Sequence, residues 1–179
     1  SRGLGDVYKR QVQHDLNRGL EADYALVAYG GNDSDYDWAA IDADPAGDHR
    51  PRTELPAFRE KLRHTVTMLR ERGIQPVLMS LPPIDAARYL AFICRDGLRK
   101  ERIMDWLGDV QMIYRHQEMY SDAVTQLAYA EGLPLIPVRE EFLNDHRLMR
   151  LIAADGIHLT MPGYERLFDT LADWLRIRV

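Results

Sequence analysis

Three short, nearly continuous apolar runs, at residues 24–29, 75–81 and 133–138, constrain the fold more than any other feature of this chain. A strand with one wet face alternates apolar and polar residues, whereas an unbroken run suits a strand buried on both faces of a parallel sheet. Between the first two runs Phe58, Leu62, Val66 and Leu69 recur at helical spacing and stop before Gly73. Between the second and third, Val110, Ile113, Tyr114, Gln117, Ser121, Val124, Leu127 and Ala128 trace one side of a long helix that closes at Gly132. Strand, helix and strand in alternation mark right-handed βαβ units, so an α/β domain built on a parallel sheet is expected. Pro134 and Pro137 put the third run at a sheet edge. A doubly wound sheet usually has about five or six strands, so at least one strand is expected to be missing from the front of the chain.

The segments between these runs are less regular. Residues 34–56 are acidic and then rich in Pro, Gly and Arg, with Tyr36, Trp38 and Ile41 as their large hydrophobes. This reads as a long loop or lid, and loops of more than about 12 to 15 residues are more often functional than idle. Tyr36 and Trp38 either touch an acyl or sugar group or pack within the lid. Residues 84–96 and 98–107 lack strand character, the second reading as a short helix, and residues 139–154 read as helical or irregular. On the long helix, Arg115, His116 and Glu118 face either a pocket or solvent. Residues 1–11 show no periodicity and read as a non-native or disordered leader, residues 14–21 read as the end of a helix, and residues 12–179 read as one domain.

Composition narrows the function classes. The chain has 179 residues, 46% of them hydrophobic, which is enough for one sizeable core. A formal net charge of -5, with no concentrated run of Lys and Arg, argues against a nucleic-acid partner. The lone Cys94 rules out an intrachain disulfide and a thiolate zinc cluster, which slightly favours a reducing cytoplasm. No apolar run is long enough to span a bilayer. His14, His49, His64, His116 and His146 show no metal-ligand spacing, and no metal or cofactor is expected.

Chemistry concentrates in two places. Residues 155–164 place Asp155 three positions before His158 in a glycine-containing turn, where the carboxylate can fold back onto a ring nitrogen and hold the imidazole in one tautomer. Thr160 is placed as an N-cap and Pro162 in a first turn, so a helix begins where the histidine ends. Tyr164, Leu167, Phe168, Leu171, Trp174 and Leu175 give that helix a stripe expected to be buried. The other place is Gly30-Gly31-Asn32-Asp33, which ends the first apolar run. Ligands of parallel sheets bind at the carboxyl ends of strands, so both places can reach one crevice.

Gly31-Asn32-Asp33 after a hydrophobic strand, with Asp155-Gly156-Ile157-His158 before a C-terminal helix, resembles the SGNH hydrolases, also called the GDSL esterase/lipase family. The resemblance implies a three-layer α/β/α flavodoxin-like fold and serine ester hydrolysis without metal or cofactor. It makes His158 the general base, Asp155 its orienting partner and Asn32 an oxyanion-hole donor, with Gly31 and Asp33 beside the substrate. The family's Gly-Asp-Ser block is absent. Gly5-Asp6-Val7 lacks the hydroxyl, and Ser34, Ser80 and Ser121 stand in other contexts, so the nucleophile is expected upstream of this chain. The implied partner is a small-molecule ester, acyl or acetyl, with the polar lid favouring a small or sugar-linked one. A non-catalytic binding module of the same fold is the alternative, ahead of a metal-dependent phosphoesterase.

Overall fold

The three apolar runs pair as a parallel sheet in the order β1-β2-β3, with β1 at Tyr24–Val27, β2 at Gln75–Met79 and β3 at Leu135–Ile136. Register runs from Tyr24 opposite Gln75 to Val27 opposite Leu78, and then Leu78 opposite Leu135. The computed structural model describes residues 22–178. The expected leader over residues 1–11 and the helix end at residues 14–21 lie outside the described residues.

Helices cover both faces of β2, because its side chains alternate between two cores. Leu78, with Val27, packs on α2 (Leu55–Arg70) and α5 (Gln111–Ala130), through Phe58, Leu62 and Val66 of the former and Tyr120 and Val124 of the latter. Val77 and Met79 face the other way, joining Ile136, with Val138 and Phe142 of α6 (Val138–Leu143). Leu167, Leu171 and Trp174 of α7 (Met161–Arg178) close that face. Three layers result, as expected, and β3 takes the edge position its prolines indicated.

A third cluster sits beyond the carboxyl ends of the strands. It joins α1 (Trp38–Ala43), α3 (Ala86–Ile93), α4 (Lys100–Leu107) and the start of α5 through Trp38, Ile41, Leu90, Ile103 and Ile113. Asp42 fastens it. Its carboxylate accepts from Arg99 Nε at 3.0 Å and Nη2 at 3.0 Å, and from the Arg99 backbone N-H at 3.1 Å. The Arg99 guanidinium holds that carboxyl below the usual carboxylate range.

Three expectations need correction. The first run is not buried on both faces, since Tyr24 is 54% and Leu26 49% exposed while Val27 is buried. An apolar run permits double burial, but the covering layer must come from elsewhere in the chain. The α7 stripe is also only half covered: Leu167, Leu171 and Trp174 pack, whereas Phe168 is 64% exposed and Tyr164 and Leu175 are exposed too. Finally, the lid contains α1, whose N-cap Asp37 accepts from the Ala40 N-H at 3.0 Å. Six residues are too few for helical periodicity to register in a sequence.

Candidate active site

The turn that follows β1 is built around Gly30, whose φ of +128° lies where side chains are rarely tolerated. A Cβ there would stand 2.9 Å from Leu81 Cδ1. Ser34 N-H closes the turn on Gly30 O at 3.0 Å, and Ser34 Oγ donates to Gly31 O at 3.0 Å. The returning lid pairs with it, through Arg52 N-H to Asp35 O at 2.8 Å and Thr53 N-H to Asp33 O at 3.1 Å. Gly31, Asn32 and Asp33 are thereby held at the mouth of a crevice of about 780 Å³.

The second turn hangs from a short antiparallel bridge between Ile152 and Leu159. Within it, Ala153 N-H donates to His158 O at 2.8 Å, and Asp155 Oδ1 accepts from the N-H groups of Ile157 and His158, each at 3.0 Å. Oδ2 of the same carboxylate lies 2.6 Å from His158 Nδ1. Burial alone would raise the Asp155 pKa, but the hydrogen bonds from His158 and the two backbone N-H groups outweigh it and hold the carboxyl below its ordinary value. Asp155 is therefore ionised at neutral pH and favours the tautomer that carries its proton on Nδ1.

The fold around this turn explains the residues flanking the pair. Gly156 has φ of +82°, and a Cβ on it would meet Asp85 O and Tyr89 N at 2.5 Å. The turn thus rests on the N-terminus of α3, where Asp85 N-H donates to Gly156 O at 2.8 Å. Arg88 on α3 donates through Nη1 to Met149 O at 3.0 Å and Ile152 O at 2.7 Å, pinning the strand that enters the turn. Thr160 accepts from the Gly163 N-H at 3.2 Å, the cap expected of it, and its own hydroxyl donates to Arg150 O at 2.6 Å.

The structure brings together what the sequence keeps 126 positions apart, since Asn32 and His158 line the same crevice. Asp155 stands behind His158 and is not part of the lining. Tyr36 and Trp38 both line it and pack on each other and on Trp106, so lid packing and crevice lining are one role. Of the three residues left open on the long helix, His116 lines the crevice, whereas Arg115 and Glu118 are exposed. Burial lowers the His116 pKa. The three serines in question are each hydrogen-bonded within the fold: Ser34, which lines the crevice, as above, Ser80 Oγ by the Arg139 N-H at 3.0 Å, and Ser121 Oγ by the Leu81 N-H at 3.1 Å.

Sequence reading missed Asp35 and Tyr89. Asp35 Oδ1 accepts from Tyr89 Oη at 2.7 Å and Trp38 Nε1 at 2.9 Å, and Arg52 lies 3.2 Å from Oδ2. Desolvation, and then the Asp35 charge, push the Tyr89 phenol well above its usual range, so it stays a donor. No local pattern could mark the Asp35–Tyr89 contact, because its two residues are 54 positions apart in sequence. Among the described residues, no group of three or more His, Cys, Asp or Glu is placed to hold a metal ion. None of the described helices is long and apolar enough to cross a membrane.

A three-layer α/β domain with a crevice at the carboxyl ends of its parallel strands defines the fold class. Within that class, the sequence profile of the GDSL-like lipase/acylhydrolase family matches residues 4–166, and the chain belongs to this family. An isoamyl acetate-hydrolyzing esterase from Saccharomyces cerevisiae is 23% identical over 118 residues, covering 65% of this chain and 46% of that protein. The chain therefore spans about half the length of that curated relative. Among solved structures, a lipase/acylhydrolase from Enterococcus faecalis superposes with a TM-score of 0.62 at 18% identity, over 97% of this chain and 70% of its own. A catalytic mutant of an acetylxylan esterase from Geobacillus stearothermophilus gives 0.64 at 17% identity, over 95% and 66%. At such identities the superpositions establish the shared fold.

Proposed function

We propose that this chain carries the histidine-aspartate half of the active site of a serine ester hydrolase acting on a small-molecule ester. One observation carries the reading: Asn32 and His158 line one crevice while Asp155 holds His158 Nδ1 at 2.6 Å. His158 Nε2 takes the proton of the attacking serine hydroxyl and returns it to the leaving alcohol. Asp155 keeps the ring in that tautomer and stabilises the imidazolium. Asn32 donates to the oxyanion of the tetrahedral intermediate, and Gly31 and Asp33 border the substrate. Water then releases the acyl group by the same acid-base route.

The nucleophile belongs to a segment upstream of this chain, in keeping with the engagement of Ser34, Ser80 and Ser121 in the fold. Support for serine chemistry comes from the acetylxylan esterase, two of whose structures are described as catalytic mutants, one at a serine and one at an aspartate. That protein and the isoamyl acetate-hydrolyzing esterase both bear names of acetate-ester hydrolases, which supports an ester as the substrate here.

Hydrolysis of p-nitrophenyl acetate tests the reading. The 179-residue chain alone is expected to show no turnover, whereas the longer parent protein is active and loses on the order of 10⁴ to 10⁶ in kcat on His158→Ala. Turnover by the 179-residue chain that disappears with His158→Ala would place the nucleophile within it and overturn the assignment. A parent protein unaffected by His158→Ala, or inert toward a serine-directed phosphonate, would overturn the mechanism itself.

A further inference from the structure

Away from the two turns, the crevice is walled by the lid, α4 and the start of α5, and the polar side chains of that wall are largely engaged with one another. Trp38 Nε1 and Tyr89 Oη both donate to Asp35. Gln117 is used at both ends, with Nε2 donating to Pro82 O at 3.0 Å and Oε1 accepting from Arg139 Nη1 at 2.9 Å. Tyr36 Oη lies 3.3 Å from His116 Nδ1, and Thr65 Oγ1 donates to Lys61 O at 3.0 Å. Lys61 Nζ is 3.4 Å from Thr53 Oγ1. His116 Nε2 is buried without a partner, one atom able to serve one hydroxyl. The surface left over is mostly carbon and ring, from Ile84, Trp106, Leu107, Met112 and Ile113, with the Trp106 indole N-H and the Lys61 ammonium as its remaining donors.

A hydroxyl that leaves water for such a wall loses its hydrogen bonds and finds few replacements, whereas a hydrocarbon loses nothing there and sheds its hydration. We infer that this wall is a subsite for a neutral hydrocarbon group of the ester, branched aliphatic or aryl, and that it selects against a polyhydroxylated one. The inference rests on the ester-hydrolase reading and runs against the sugar-linked ester that the polar lid sequence favoured. The lid's acidic residues do not set the chemistry of the wall. Asp35 is taken up by Trp38, Tyr89 and Arg52, and Asp42 by Arg99.

Binding of the alcohol half needs no nucleophile, so it is measured on the 179-residue chain itself. The chain is titrated with 3-methylbutan-1-ol and with methyl β-xylopyranoside while the indole N-H resonances of Trp38 and Trp106 are followed. The hydrocarbon alcohol is expected to bind at least about tenfold more tightly, the scale on which apolar pockets discriminate. Met112→Asn, at a position 38% exposed and outside the two turns, is expected to weaken the hydrocarbon alcohol several-fold and narrow the gap, with thermal melting confirming that the fold persists. Equal or tighter binding of the xyloside, no binding of either alcohol, or a gap unchanged by Met112→Asn in a folded protein each overturns the subsite. Loss of the hydrolase reading in the p-nitrophenyl acetate assay would leave this binding preference standing, so the two failures are told apart.

Discussion

The two turns that meet at the crevice differ in where the carboxylate of each finds its partners. The Asp155–His158 turn closes on itself: one carboxylate binds two N-H groups and the imidazole within four residues. The Gly30–Asp35 turn is closed locally by Ser34, but it is also held from a distance, by Arg52 and Thr53 of the returning lid and by Tyr89 of α3 on the Asp35 carboxylate. A carboxylate with local partners can be read from a short string of letters and replaced with little disturbance of the fold. A turn held by distant partners cannot be read that way, and its loss spreads.

The largest expected effect separates the two cleanly. Asp155→Asn keeps an oxygen for the N-H groups of Ile157 and His158 but no longer favours the Nδ1-protonated ring, so kcat of the intact hydrolase is expected to fall about 10⁴-fold. Melting should shift by no more than a few degrees. A comparable loss of stability alongside the loss of rate would show that the turn is not self-contained. Gly156→Ala comes next, because it combines a φ of +82° with backbone contacts at 2.5 Å. A cost of about 2 to 4 kcal/mol in urea unfolding is expected. A variant as stable as the parent would mean that α3 does not brace the turn.

Asp35→Ala probes the other side. It leaves Tyr89 Oη without its acceptor and Trp38 Nε1 with Tyr89 Oη at 3.3 Å as its remaining one, at a cost of about 1 to 3 kcal/mol. The resonances of Tyr36 in the lid and Trp106 in α4 should move, while the Nδ1 proton signal of His158, set by its 2.6 Å contact, stays in place. A His158 signal that broadens or shifts in Asp35→Ala would make the two turns one cooperative unit, joined through α3.

The same distinction governs what the sequence could reveal. Continuous apolar runs located all three strands, and helical spacing located α2, α5 and the packed half of α7, because burial periodicity is a local property. The Asp155–His158 spacing and the Gly30–Asp33 strand end were visible for the same reason. Exposure of Tyr24 and Leu26, the six-residue α1, and the Asp35–Tyr89 and Arg88–Ile152 contacts were not, since each depends on what the tertiary fold places opposite.

The smallest predicted effect is a difference in acid sensitivity between the two sides. His116 packs on Tyr36 and Tyr120 at ring distances of 4.8 and 5.3 Å, and burial lowers its pKa. The unfolded chain, with an ordinary histidine pKa of about 6.5, then binds a proton before the folded one does. The contribution of neutral His116 is therefore complete above about pH 6.5 and is lost as pH falls toward its depressed folded value. Asp155 follows the same sign at lower pH: its carboxyl is held below the ordinary value of about 3.9, so its contribution is complete above that and lost only beneath it. On acidification the wall formed by Tyr36 and His116 should loosen first, with the Asp155–His158 turn intact. Thermal melting of His116→Phe, which keeps the ring contacts, should show a shallower fall between pH 6.5 and 5 than the parent chain. Parallel curves would assign that acid limb to other groups, and the wall would then owe nothing to the neutrality of His116.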